Sequence, residues 1–137
     1  MRALIFMTIA FSMLFLIRCG TENTLDSNGN TDGLQSTFSS INSEVIQKQC
    51  AVSGCHGGGS ASAGLSLASD VAYDNLVNVT STENPSLKRV NPGNSAQSYL
   101  IFKLNGDGTS VMPPSGALSS VIISTIRQWI DNGAKNN

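Results

Sequence analysis

The side chains able to do chemistry gather in one short stretch, Cys50-Ala-Val-Ser-Gly-Cys-His-Gly-Gly-Gly59, which holds two of the chain's three cysteines and its single histidine. Several chemistries suit such a cluster. A Cys50–Cys55 disulfide would suit an oxidising compartment, but it gives His56 no part to play. A zinc site would need a fourth ligand, and only scattered acids follow the histidine. A nucleophilic Cys/His pair would be undermined by the second thiol, which would capture the nucleophile in a disulfide.

A histidine directly after the second cysteine is also the arrangement that attaches a c-type haem. There, each thiol adds to a vinyl group and the imidazole is held under the iron. The usual spacing has two residues between the cysteines, whereas this chain has four, Ala51, Val52, Ser53 and Gly54. Two of them must bulge outward, which small side chains and a glycine permit, and Gly57 to Gly59 would let the backbone run close to a porphyrin edge. A sixth iron ligand is also on offer. Met1, Met7 and Met13 lie in an N-terminal export-type segment, so once that segment is removed the only methionine left is Met112. It sits in Val111-Met-Pro-Pro-Ser-Gly116, where two prolines stiffen the backbone just after the thioether. The competing role for a lone methionine is to fill a gap in the core.

Other ligand motifs fail on inspection. Lys103-Leu-Asn-Gly-Asp-Gly108 would put Lys103 first and Pro114 last in a calcium loop, where acids are needed. Gly57 to Gly59 lack the lysine and Ser/Thr of a phosphate loop.

These residues must be positioned by a modest domain, since 137 residues allow one core. Charged residues make up only 12% of the chain and the net charge is −1, so no basic face for nucleic acid is expected. The apolar run Ala3 to Ile17, broken only by Thr8 and Ser12, is shorter than the roughly 20 residues that span a bilayer. It reads as a signal peptide over residues 1–18, with an uncleaved anchor as the competing reading. Its end, Leu16-Ile17-Arg18-Cys19, resembles a bacterial lipobox, which implies lipidation of Cys19 and a cell-envelope location facing the periplasm or the cell surface. Loss of Arg2 and Arg18 would leave six basic and nine acidic residues, a mature net charge of −3. Residues 19–37 are almost entirely Gly, Asn, Thr, Ser and Asp, the composition of a flexible tether reaching on the order of 25 Å.

Residues 38–137 then form the expected domain, and their apolar periodicity predicts an all-α fold of short helices joined by Gly- and Pro-marked turns. A first helix from about Ser40 places Ile41, Val45 and Ile46 on one face before Cys50. A weaker one follows Asp70 as N-cap, with Val71, Leu76 and Val77. A third follows the Asn91-Pro-Gly-Asn94 turn, capped by Ser95, carrying Tyr99, Leu100 and Leu104 and stopped by Asn105-Gly106. The clearest follows Ser119 or Ser120, with Ile122, Ile123, Ile126, Trp129 and Ile130 at helical spacing and Gly133 beyond its end.

Taken together, Cys50…Cys55-His56-Gly57, Arg89-Val-Asn-Pro-Gly93, Met112-Pro-Pro and the closing Ile126…Trp129-Ile130…Gly133-Ala134 resemble the small monohaem cytochrome c domains related to class I cytochrome c. The resemblance covers about Ile41 to Ala134. It implies a small helical fold wrapped around one covalently bound haem c, with Cys50 and Cys55 as attachment points. His56 would be the proximal ligand and Met112 the distal one. It also suggests Pro92 as the residue whose carbonyl takes the other ring proton of His56. The implied function is outer-sphere electron transfer with redox partner proteins of the cell envelope, not catalysis, although weak peroxidase activity stays open. Two alternatives also remain: a gas or peroxide sensor with an open distal iron face, and a disulfide-stapled surface module without haem.

Overall fold

The computed structural model describes residues 33–59 and 61–137; the signal segment and Cys19 lie outside the described residues. Four α-helices are present among them: α1 (Phe38–Ile41), α2 (Ala72–Leu76), α3 (Tyr99–Asn105) and α4 (Ser120–Asp131). Short 3₁₀ turns form at Ser62–Gly64 and Ser95–Gln97. Extended pairing is confined to isolated bridges, such as Val77 with Val90 and Lys88 with Ser98, so the architecture is helical with a long non-helical crossing between α2 and α3.

The C-terminal helix behaves as its stripe predicts. Ser119 caps α4 by accepting the Ile122 N–H at 3.3 Å, and Ile126, Trp129 and Ile130 are buried along one face. Trp129, only 2% exposed, is the largest fully buried side chain among the described residues. Its ring lies 5.6 Å from that of Phe38, which meets Tyr73 edge-on at 5.0 Å. Both polar handles on these rings find carbonyls: Trp129 Nε1 donates to Lys135 O at 2.9 Å and the Tyr73 hydroxyl to Ala134 O at 2.8 Å. The start of α1 is thereby clasped against the end of α4, and Ser39 N–H donates to Asn137 O at 2.8 Å across the same junction.

Several boundaries differ from the sequence expectation. Leu34, assigned to the tether, is 5% exposed and belongs to the core. The Ser40 hydroxyl accepts the Gln35 N–H at 2.9 Å and donates to Gly33 O at 3.4 Å, folding this segment back onto α1, so the packed domain begins before Phe38. Asp70 does not cap α2; Val71 and Ala72 instead donate their amides to Ala68 O at 3.0 and 2.9 Å. Ser95 does not cap α3 either: Ser98 stands at that position, while the Ser95 amide and hydroxyl donate to the Asp131 carboxylate at 2.8 and 2.9 Å, which fastens the Asn91–Asn94 turn to the end of α4. Gly106 does end α3, in the left-handed conformation (φ 77°) that a C-terminal cap favours. The largest departure is in the first helix. After Ile41 the chain widens into a π-helical stretch, Asn42–Cys50, that runs up to the first cysteine.

Candidate functional site

The π-helical stretch ends at Cys50 and the chain turns at once into a closed loop. His56 N–H returns to Cys50 O at 3.1 Å, while Cys55 and Gly57 N–H both reach Val52 O, at 3.1 and 3.2 Å. The four residues between the cysteines are therefore a hydrogen-bonded bulge, with Val52 exposed at its tip. Gly57 is required by this closure: a Cβ there would sit 2.0 Å from Ala51 O. The glycine expected to face a porphyrin edge is thus explained by the loop's own backbone, whereas Gly59 has nothing within 4 Å of its Cβ position.

Cys50, Cys55, His56 and Met112 line one cavity of about 290 Å³. That is close to the lower end for sites holding small molecules and cofactors. Its walls are predominantly apolar, built by Ile41, Val45 and Ile46 of the first helix, Leu100 and Leu104 of α3, and Ile126 and Trp129 of α4, with Glu83, Arg89 and Lys103 among the polar residues that also border it. Both thiols are free and partly buried. Burial against these walls pushes the Cys50 thiol up from 9.0 to about 11, and the nearby Cys55 adds to the rise. Cys50 is accordingly a neutral S–H at physiological pH.

The imidazole is oriented by a neighbouring segment. His56 Nδ1 lies 3.1 Å from Leu65 O, and Leu67 N–H donates to His56 O at 2.7 Å. A carbonyl can only accept, so Nδ1 carries the proton, and in the neutral ring Nε2 keeps its lone pair as a donor to a metal. The suggested role of Pro92 is corrected here. Pro92 is not on the cavity wall, and the carbonyl that meets the ring is that of Leu65. The Pro92 turn is held elsewhere by Gly93 N–H on Ile130 O at 2.8 Å and by the Ser95–Asp131 pair.

No family model, curated protein or solved structure matches the chain. What the site can do is therefore read from its own donors. Among the described residues no three His, Cys, Asp or Glu side chains come together to hold a bare ion. What the four side chains bring together instead is two thiols, an imidazole and a thioether on one largely apolar cavity, donors able to hold a metal that an organic ligand brings with it.

Met112 reaches the cavity on a loop that is tied down at two points. Its own N–H donates to Lys103 O at 2.8 Å. Beside it, Lys103 Nζ donates to Glu83 Oε2 at 3.0 Å and to Thr109 Oγ1 at 3.1 Å, and the Tyr99 hydroxyl donates to the same Glu83 oxygen at 2.9 Å. This knot joins α3, the loop before Met112 and the 81–83 turn at the cavity wall, and nothing in the sequence announced it. The hydrogen bonds from Lys103 and Tyr99 hold the Glu83 carboxyl below its ordinary 4.5. A depressed carboxyl pKa stabilises the fold above the unfolded-state value, and that contribution disappears as pH falls through the folded-state value. Glu83→Gln should therefore lower stability at neutral pH, and its deficit should shrink as pH falls from the ordinary carboxyl value through the lower folded-state one. Denaturant titrations of both proteins across pH check this, and a deficit that persists in acid would contradict it.

Proposed function

We propose that the protein is a monohaem c-type electron carrier, with haem c bound through Cys50 and Cys55 and the iron held by His56 and Met112. The observation that carries the reading is the meeting of these four side chains on one apolar cavity, although Met112 lies far along the chain from the cysteine loop. The donor set fits the group. Each thiol can add S–H across a vinyl C=C, a reaction that needs no oxidant, and two free, neighbouring cysteines are present for it. When bound, the haem supplies one-electron cycling between ferrous and ferric iron.

The chain's own residues set the conditions of that cycling. The Leu65 carbonyl fixes the His56 tautomer, so the ring presents Nε2 and gains basicity from the Nδ1–H bond. The Met112 thioether, a soft ligand, favours the reduced metal and raises the potential relative to a second imidazole. The apolar side chains of Ile126, Trp129 and Leu104 on the cavity wall would disfavour the more charged ferric state. The Glu83–Lys103 knot keeps the Met112 loop against α3, which would hold the thioether in place towards the iron.

Protein exported in a strain that matures c-type cytochromes should be coloured. After denaturation and acid–acetone extraction it should retain porphyrin mass on the peptide containing Cys50 and Cys55. A colourless product without that mass overturns the proposal. The weak near-infrared absorption of a ferric methionine–iron bond should be present in the wild type and vanish in Met112→Ala. Its absence from a haem-loaded wild type would favour the open-faced sensor.

A further inference from the structure

Nine positions separate Ile41 from Cys50, about two and a half turns of an α-helix, so unbroken α-winding would place Cys50 on the face opposite Ile41. The wider winding of Asn42–Cys50 changes that outcome. When N–H groups reach back five residues, as Ala51 N–H does to Ile46 O at 2.8 Å, positions five apart become neighbours. Ile46 then falls beside Ile41 and Cys50 beside Val45, and all four line the cavity. Two side chains match this winding. Gln47 Nε2 donates to Asn42 Oδ1 at 2.8 Å, a contact between positions that α-winding would turn well away from each other. Its second proton goes to Leu67 O at 2.9 Å, so both donors of that nitrogen are used.

We propose that Asn42 and Gln47 are positioning residues that lock the π-helical winding and so aim the Cys50 thiol into the apolar cavity. The same short segment, 65–67, anchors both halves of the cysteine–histidine motif: Leu67 O receives Gln47, Leu67 N–H holds the His56 carbonyl and Leu65 O orients the ring. Departures from α-winding need such over-determination to persist, and they concentrate at functional sites. The assignment concerns the free thiol, so its test is separate from that of haem attachment.

The experiment uses the full chain without haem and compares the alkylation rates of Cys50 and Cys55 by iodoacetamide, read by mass spectrometry at one mildly alkaline pH. In the wild type Cys50 should react more slowly, because its partial burial against the apolar walls disfavours the thiolate. Gln47→Glu sets an acceptor against the acceptors Asn42 Oδ1 and Leu67 O, and should raise the Cys50-to-Cys55 rate ratio about tenfold or more as Cys50 turns out of the cavity. Asn42→Ala should act in the same direction, whereas Asn42→Asp, which keeps the acceptor oxygen, should retain the wild-type ratio. A Gln47→Glu ratio within about twofold of wild type, or an Asn42→Asp shift as large as that of Asn42→Ala, overturns the assignment. A measurement on the wild type alone guards against variants that fail to fold. The through-hydrogen-bond NMR coupling of the Ala51 amide should be to the Ile46 carbonyl, and coupling to Gln47 instead would refute the winding itself.

Discussion

Replacing Trp129 with alanine should remove about 3–5 kcal/mol of folding stability, measured by denaturant unfolding followed by circular dichroism. The side chain is 2% exposed, packs against Phe38 and walls the cavity, so its loss opens a void between the two ends of the fold. The Lys135 carbonyl also loses its Nε1 donor. A domain of this size has roughly 5–15 kcal/mol in total, so the variant should be marginal at ambient temperature. Val52→Ala, at the exposed tip of the cysteine loop, is the control and should stay within about 0.5 kcal/mol of wild type. A Trp129→Ala deficit as small as that of the control would mean that α1 and α4 are not joined as described.

The second large effect should come from a single methyl group. In Gly57→Ala the new Cβ meets Ala51 O at 2.0 Å and Ala51 C at 2.6 Å, and both are backbone atoms that cannot swing aside. The loop must open, at a cost of about 2–3 kcal/mol, and the bonds from His56 to Cys50 O and from Gly57 to Val52 O should be lost with it. Protection of those two amides from hydrogen exchange should disappear, and in a cytochrome-maturing strain the yield of haem-bearing chain should collapse. The neighbouring glycines set the scale. Gly58→Ala meets no atom but sits at φ 79°, which costs on the order of 1 kcal/mol, and Gly59→Ala, with neither problem, should be neutral. An effect at Gly59 equal to that at Gly57 would contradict the steric explanation.

Much of the helical layout was legible before any coordinates. The stripe of α4, its Ser119 cap and the Gly106 stop of α3 are written in residues that act on their own neighbours. Periodicity and capping are local effects, and local effects survive into the fold. The position of Leu34 was not legible, because one apolar side chain in a polar run carries no periodic signal; bonds to Ser40 decide its burial. The cap expected at Ser95 failed for a related reason. Ser95 has a more favourable partner in Asp131, a residue brought close only by the turn that docks on α4.

The candidate site divides along the same line. Residue types and spacing alone singled out Cys50, Cys55, His56 and Met112, since thiols, an imidazole and a thioether are scarce in this chain and their chemistry is distinctive. Only tertiary structure decided that these four border one apolar cavity, that the imidazole meets Leu65 O instead of Pro92, and that the first helix widens before Cys50. A backbone carbonyl is the same group at every position, so sequence cannot say which one a ring will find. Helix winding likewise depends on which distant carbonyl a glutamine reaches, and that is settled only when the chain has closed on itself.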